Sequence, residues 1–275
     1  MTAAPVLNVD STEAELPPHV RTAFGVGEVR PRLVRWAGRP AWQCGDVMIR
    51  PVVDNANASW SAGVLDGLQV EGVRLARPIR ASDGRWIVAG WAACRYVAGS
   101  LEARHDAVVD AANKLHAATA AVPRPRLLDG RDDLLSRSAA GAFGEIKLTL
   151  NPGLGGGLYA QLAAYRTPIR AAFQVVHPEL FGAVLFDQSG SPGVIDLVPC
   201  WRPKEWAAAV VVVDALAWGG ADPALIQHWD RIDEWPQMLL RAVLHRLALH
   251  AMHPDGSART LAGLERAAGL VSNLL

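Results

Sequence analysis

The residues able to do chemistry are few and unevenly spread. Lysine occurs only at Lys114, Lys147 and Lys204, so a lysine-dependent mechanism has little to draw on. His245, His250 and His253 crowd into the last third of the chain. A step of five does not place two histidines on one helical face, and a proline follows His253 at once. These read as helix-end histidines rather than a zinc site. Cys44, Cys94 and Cys200 are widely spaced and odd in number, unlike a metal motif, which fits a reduced cytoplasm. In the Cys-Trp-Arg-Pro run at 200–203, Arg202 could hold an anionic ligand or pair structurally with Glu205 or an aspartate. Trp201, with Trp206, Trp229 and Trp235, is either core or the edge of a groove for an aromatic or peptide ligand. No Gly-x-Ser-x-Gly or His-Glu-x-x-His pattern occurs, so the hydrolase and zinc-peptidase classes find no support.

Positioning such residues takes a folded core. The chain has 275 residues, 51% hydrophobic and 20% charged, the balance of a globular protein with one large domain or two small ones. Zero formal net charge gives no reason to expect nucleic acid or an anionic membrane as partner. The longest apolar run, 207–218, is broken by Asp214 and is too short to span a bilayer. Residues 1–18 carry acids and prolines rather than a basic and then apolar leader, and 1–20 read as a flexible arm.

From 29 to 97 short strands and turns alternate. The pattern predicts a hairpin over 42–53, a helix over 55–68, an extended 74–79, an Asp83-Gly84 turn and a dense strand-forming run over 85–97. Gly99 follows as a hinge. Beyond it the pattern is mostly helical, over 103–120, 158–170, 204–218, 223–228, 236–250 and 257–275. Short strands fall at 173–176, 184–186 and 194–198. The expected organisation is an arm (1–20), a β-rich lobe ending in a hinge strand (21–98) and a helical lobe (99–275), which suits a ligand held between lobes.

Four segments carry a further signal in their order and spacing. They are GRWIVAGWAACRYVAG at 84–99, HPELFGAVLF at 177–186, VIDLVPCWRP at 194–203 and VVVDAL at 211–216. Together they resemble the aminoglycoside phosphotransferase superfamily, which includes choline kinases, and within it an actinobacterial branch. The likeness runs through most of the chain. It implies an α+β, two-lobed protein-kinase-like fold, with ATP and Mg2+ as cofactors.

On this resemblance, 84–99 are the strand and hinge that hold adenine, which places Trp91, Ala92 and Ala93 at the nucleotide. The family's catalytic loop, His-Gly-Asp-x-x-x-x-Asn-x-x-Phe, falls on 177–186. Glu179 then stands for the catalytic aspartate, Pro178 for the glycine and Ala183 for the metal-binding asparagine, while His177 braces the loop. Asp196 is either the retained metal aspartate or a buried aspartate that caps or braces its loop. Arg50, in VMIRPV, stands at the strand lysine, and Gly63 at the helix glutamate that would pair with it. The phosphate-cradling glycine turn falls on RWAGRPAW at 35–42, which offers one glycine and one proline, with Arg35 and Arg39 there either touching phosphates or standing as exposed loop arginines.

Phosphoryl transfer rests on positioning and charge stabilisation. Arginine keeps the lysine's charge but not its geometry. Glutamate is one methylene longer than aspartate, and a misplacement of about 1 Å lowers a rate on the order of 100-fold. Alanine supplies no oxygen to magnesium. These substitutions favour a pseudokinase that binds a nucleotide, peptide or partner protein between its lobes without efficient transfer. The alternative is an active ATP-dependent phosphotransferase acting on a hydroxyl of a small molecule or a peptide Ser/Thr. In it Arg50 neutralises phosphates, Asp196 holds magnesium and Glu179 orients the hydroxyl. A third reading is a chaperone-like subunit whose cleft takes a partner's leader peptide or helix.

Overall fold

Turn chemistry builds the first lobe. A computed structural model of the protein describes residues 15–275. After α1 (Pro18–Ala23), strands β1 (Arg32–Trp36), β2 (Arg39–Cys44) and β3 (Val47–Pro51) form a meander through two-residue turns at Ala37-Gly38 and Gly45-Asp46. Helix α2 (Asn55–Gly67) is capped by Asp54, whose carboxylate accepts the Asn57 N–H at 3.0 Å. Strands β4 (Arg74–Leu75), β5 (Pro78–Ile79), β6 (Ile87–Val88) and β7 (Trp91–Arg95) follow.

The strand-forming run over 85–97 is a hairpin rather than one strand. Its turn residues Ala89 and Gly90 both take positive φ, 49° and 80°, the handedness a two-residue hairpin turn requires. The sheet runs β1-β2-β3-β7-β5, with β6 also on β7. Leu16, Val20, Phe24 and Val26 pack with Val47, Ile49, Val88 and Trp91 beneath it. Leu16 and Val20, within the range expected as an arm, are buried and dock the chain on this lobe. Residues 1–14 lie outside the described residues.

The second lobe holds α3 (His105–Thr119), α4 (Leu134–Phe143), α5 (Gly156–Ala163), β8 (Gln174–Val176), β9 (Val184–Leu185), β10 (Gly193–Val194) and β11 (Cys200–Arg202). Then come α6 (Lys204–Asp214) with a wide helical turn at Ala215–Gly219, α7 (Leu225–His228), α8 (Trp235–Met252) and α9 (Ala258–Ser272). The apolar run at 207–218 is a core helix and its continuation: residues 206–214 are all buried, and α6 packs on α3 and α8. α8 in turn packs on α4, α5 and α9. The fold is a two-lobed α+β architecture. Among the described residues no helix is long and apolar enough to cross a membrane.

The lobes are sewn together. β4, from the first lobe, pairs in parallel with β10, which pairs antiparallel with β9. Arg74 reaches the carboxylate of Asp187 at 2.9 Å and the carbonyls of Ala98 and Ser191 at 3.0 Å each. Ser100 and Phe186 exchange two backbone hydrogen bonds of 2.9 Å. Gly99 beside them has φ 127°, and a Cβ there would lie 2.4 Å from the Phe186 carbonyl oxygen. Gly99 is thus a clamp point as much as a hinge. Gly99→Ala is expected to cost roughly 2 kcal/mol, from strain in a region that only glycine tolerates. Urea denaturation checks it; an unshifted midpoint would show that the backbone relaxes there freely.

Candidate active site between the lobes

Asp196 follows β10 on a loop held by α2, since the Ser61 hydroxyl donates to the Leu197 carbonyl at 2.5 Å. One carboxylate oxygen, Oδ1, accepts from Leu197 N–H at 2.9 Å and from Arg50 Nη2 at 3.0 Å. Arg39 Nη1 lies 3.6 Å from the other oxygen. Burial works to raise the Asp196 pKa. The charge and hydrogen bond of Arg50, with His177 and Arg39, more than offset it and hold the group well below the usual carboxylate range. Asp196 in turn raises the Arg50 pKa against the effect of burial. Arg35, by contrast, only closes its own turn, donating to the Gly38 carbonyl at 3.1 Å.

Glu179 is engaged as well. Its Oε1 accepts from Arg246 Nη1 at 2.7 Å. The same guanidinium grips the fully buried Asp214 with Nε at 2.6 Å and Nη2 at 2.5 Å, and donates to the Pro178 carbonyl at 3.3 Å. One arginine on α8 therefore ties the 177–183 loop to α6. Sequence reasoning missed Asp214 and Arg246 as site residues. The signal was present in part: a carboxylate inside an otherwise apolar helix needs a buried cationic partner, and α8 holds two arginines, Arg241 and Arg246, among its apolar residues. His177 is buried, and its Nδ1 accepts the Glu179 N–H at 3.3 Å, the bracing expected of it.

The three positions expected at the nucleotide keep no unpaired backbone for a ligand, and of their side chains only that of Ala92, opposite Arg50, lies on the cleft face. Trp91 and Ala93 are buried in the first lobe's core. The backbone of Trp91, Ala92 and Ala93 is paired on both edges, with Pro51, Arg50 and Ile49 of β3 and with Val88, Ile87 and Ile79 opposite. The reason is the hairpin: β7 begins only at Trp91, so the linker between lobes starts later, at Tyr96. Gly63 leaves no acid on α2 facing Arg50, whose partner is Asp196 instead.

Magnesium does not suit this donor set. Two guanidinium groups face Asp196, Ala183 contributes a methyl buried in the apolar layer between the lobes, and Glu179 is held by Arg246. Among the described residues no group of three or more His, Cys, Asp or Glu side chains could hold a metal ion. A hard divalent cation takes about six oxygen ligands, and a site already neutralised by arginine supplies almost none.

Trp201 and Arg202 line a cavity of about 210 Å³ together with Pro178, Arg124, Arg131 and His245. Arg202 pairs with Glu145 at 2.7 Å rather than with Glu205, and lies over the Phe143 ring at 4.7 Å.

No family model and no curated protein sequence matches this chain. Solved structures do. A microcompartment-associated aminopropanol kinase superposes with a TM-score of 0.57 at 16% identity, covering 93% of this chain and 94% of that one. A thermostable aminoglycoside phosphotransferase APH(4)-Ia, in ternary complex with AMP-PNP and hygromycin B, gives 0.52 at 12% identity over 93% and 96%. A choline/ethanolamine kinase family protein from Mesorhizobium loti gives 0.51 at 17% identity over 92% and 98%. The chain has the aminoglycoside phosphotransferase and choline kinase fold. In this kinase-like fold the interlobe cleft, with Asp196 below β3 and Glu179 on the loop after β8, is the candidate site.

Proposed function

We propose that this kinase-fold protein is a pseudokinase, one that binds a ligand at its cleft without efficient phosphoryl transfer. The clasp of Arg50 and Arg39 on Asp196 carries this reading: guanidinium groups stand where a phosphotransferase would keep a metal ion. The grip of Arg246 on Glu179 adds to it, because one oxygen of the carboxylate is already engaged at 2.7 Å and the side chain is tied down rather than free to meet a substrate hydroxyl. Two ligand classes have support. A nucleotide is one, since a solved neighbour carries AMP-PNP. A peptide or partner protein is the other, reached through the cavity beside Trp201 and Arg202.

The competing reading is an active phosphotransferase acting on a small-molecule hydroxyl or a peptide Ser/Thr. One observation favours it: both carboxylates, Glu179 and Asp196, are retained. The two part on one experiment. Purified protein with ATP and magnesium is expected to show no turnover above that of a Glu179→Ala, Asp196→Ala double variant. Turnover that either substitution abolishes would overturn the pseudokinase reading. A thermal-shift series with peptides and nucleotides, with and without magnesium, then identifies the ligand class.

A further inference from the structure

The turn at 35–42 does more than lack glycines. Trp36, the last residue of β1, is only 5% exposed. Its indole lies in an apolar layer between the lobes, with Ala41, Met48, Cys94 and Val97 from the first lobe and Ala183, Leu185 and Ile195 from the second. Its Nε1 donates to the Val97 carbonyl at 3.2 Å. Val97 belongs to the linker between β7 and Gly99, so a ring N–H from the β1–β2 hairpin satisfies a backbone acceptor of the hinge.

This is the geometry of a bound heteroaromatic base. A planar bicyclic ring packed among apolar side chains, with one edge donating to the linker backbone, is how a small aromatic ligand is held in such a cleft. The indole matches a purine in being a fused five- and six-membered ring with an N–H donor on its edge. The hairpin that delivers it is closed at both ends of the cleft. Trp36 reaches the linker, and Arg39, its cross-strand partner, reaches Asp196 at 3.6 Å. Ala37 between them takes φ 48°, a left-handed conformation that a side chain resists.

Resting on the pseudokinase reading and deepening it, we infer that Trp36 is an internal occupant of the base site. The cleft accepts a purine ring only when the Trp36 indole is displaced. Trp36 thereby sets what this fold can bind, excluding adenine nucleotides in the closed state and leaving the cavity beside Trp201 as the open site. The replacement of the metal-site asparagine by Ala183 belongs to the same device, because a methyl there gives the indole an apolar floor.

The test uses adenosine, which has no phosphate and so does not depend on Arg50 or Asp196. Calorimetry would compare the full-length wild type with Trp36→Ala and Trp36→Val, with free indole as a second probe. Trp36→Ala is expected to bind adenosine at least tenfold more tightly than the wild type and also to take up indole. A gain below threefold, no binding by a folded Trp36→Ala, or binding of indole without adenosine overturns the inference. Should Trp36→Ala not fold, Trp36→Val keeps a β-branched residue at the end of β1 but empties the place of the ring; a threefold gain there supports the plug and no gain overturns it. Wild-type ATP turnover is measured separately. Turnover alongside a gain in Trp36→Ala defeats the pseudokinase reading and leaves the plug standing; no turnover and no gain does the reverse.

Discussion

Replacing Arg246 with methionine is expected to lower the stability of this protein by about 3–5 kcal/mol at neutral pH, the usual cost of removing one partner from a buried ion pair. Arg246 and Asp214 are almost fully buried, with side chains 3% and 1% exposed. Without the guanidinium, Asp214 must either keep an unpaired charge in the core or take up a proton. Burial already pushes its pKa upward against the opposing pull of Arg246, so protonation is the cheaper route. Two consequences separate this account from simple loss of packing. The destabilisation should shrink as pH falls, because a protonated Asp214 no longer needs a cation. The double variant Arg246→Met, Asp214→Leu should recover most of the loss, since an apolar pair of similar volume often replaces a buried ion pair without penalty. Urea unfolding of the single and double variants at pH 7.5 and 5.5 measures both. Equal destabilisation at the two pH values, with no rescue, would sink the idea that Asp214 is the group left stranded.

Local elements and long-range partners differ in how legible they are in the sequence. Hydrophobic period and turn residues are enough for the hairpin over 42–53, the helix over 55–68 and the long helices of the second lobe, since each follows from local patterning. Helix α4 escapes that patterning, although Asp133 caps it and Gly144 ends it with φ 77°. The run over 85–97 reads as one strand because alternating apolar residues do not reveal a turn at Ala89-Gly90, where alanine takes a conformation usually left to glycine. That single hidden turn displaces the expected nucleotide contacts onto Trp91, Ala92 and Ala93, which the sheet consumes. Site residues known only by resemblance are legible as types and not as partners. Nothing local in VMIRPV says that Arg50 will meet a carboxylate 146 residues away. Nothing in the 35–42 turn says that Trp36 will reach Val97. Long-range pairing of buried polar groups depends on how the lobes close, and the sequence pattern states only that such groups require partners.

Acidification is expected to destabilise this protein through its buried histidines. His116 and His177 are both buried, and the His177 N–H donates to His116 Nε2 at 3.0 Å. Burial, above all, lowers their pKa values to about 3 and about 4. For His116 the neighbouring His177 and Lys204 push in the same direction, whereas for His177 the nearby Asp196 and Glu179 resist it. In the unfolded chain each titrates near 6.5. The unfolded state thus binds protons that the folded state refuses. The contribution is complete above about pH 6.5 and is lost as pH falls toward 4. Each histidine is worth on the order of 3 kcal/mol across that window, because each tenfold loss of proton affinity on folding corresponds to about 1.4 kcal/mol. Asp214 works in the opposite direction over part of the range, so the clean quantity is a difference. The stability gap between wild type and His177→Gln should narrow by on the order of 3 kcal/mol between pH 7 and pH 4. A gap that stays constant would mean that His177 is protonated in the native state. The structural reason for the loss is local. His177 Nδ1 accepts the Glu179 N–H, and a protonated ring presents a donor to a donor there. Charging His177 therefore breaks the brace of the 177–183 loop at the residue that carries the candidate base.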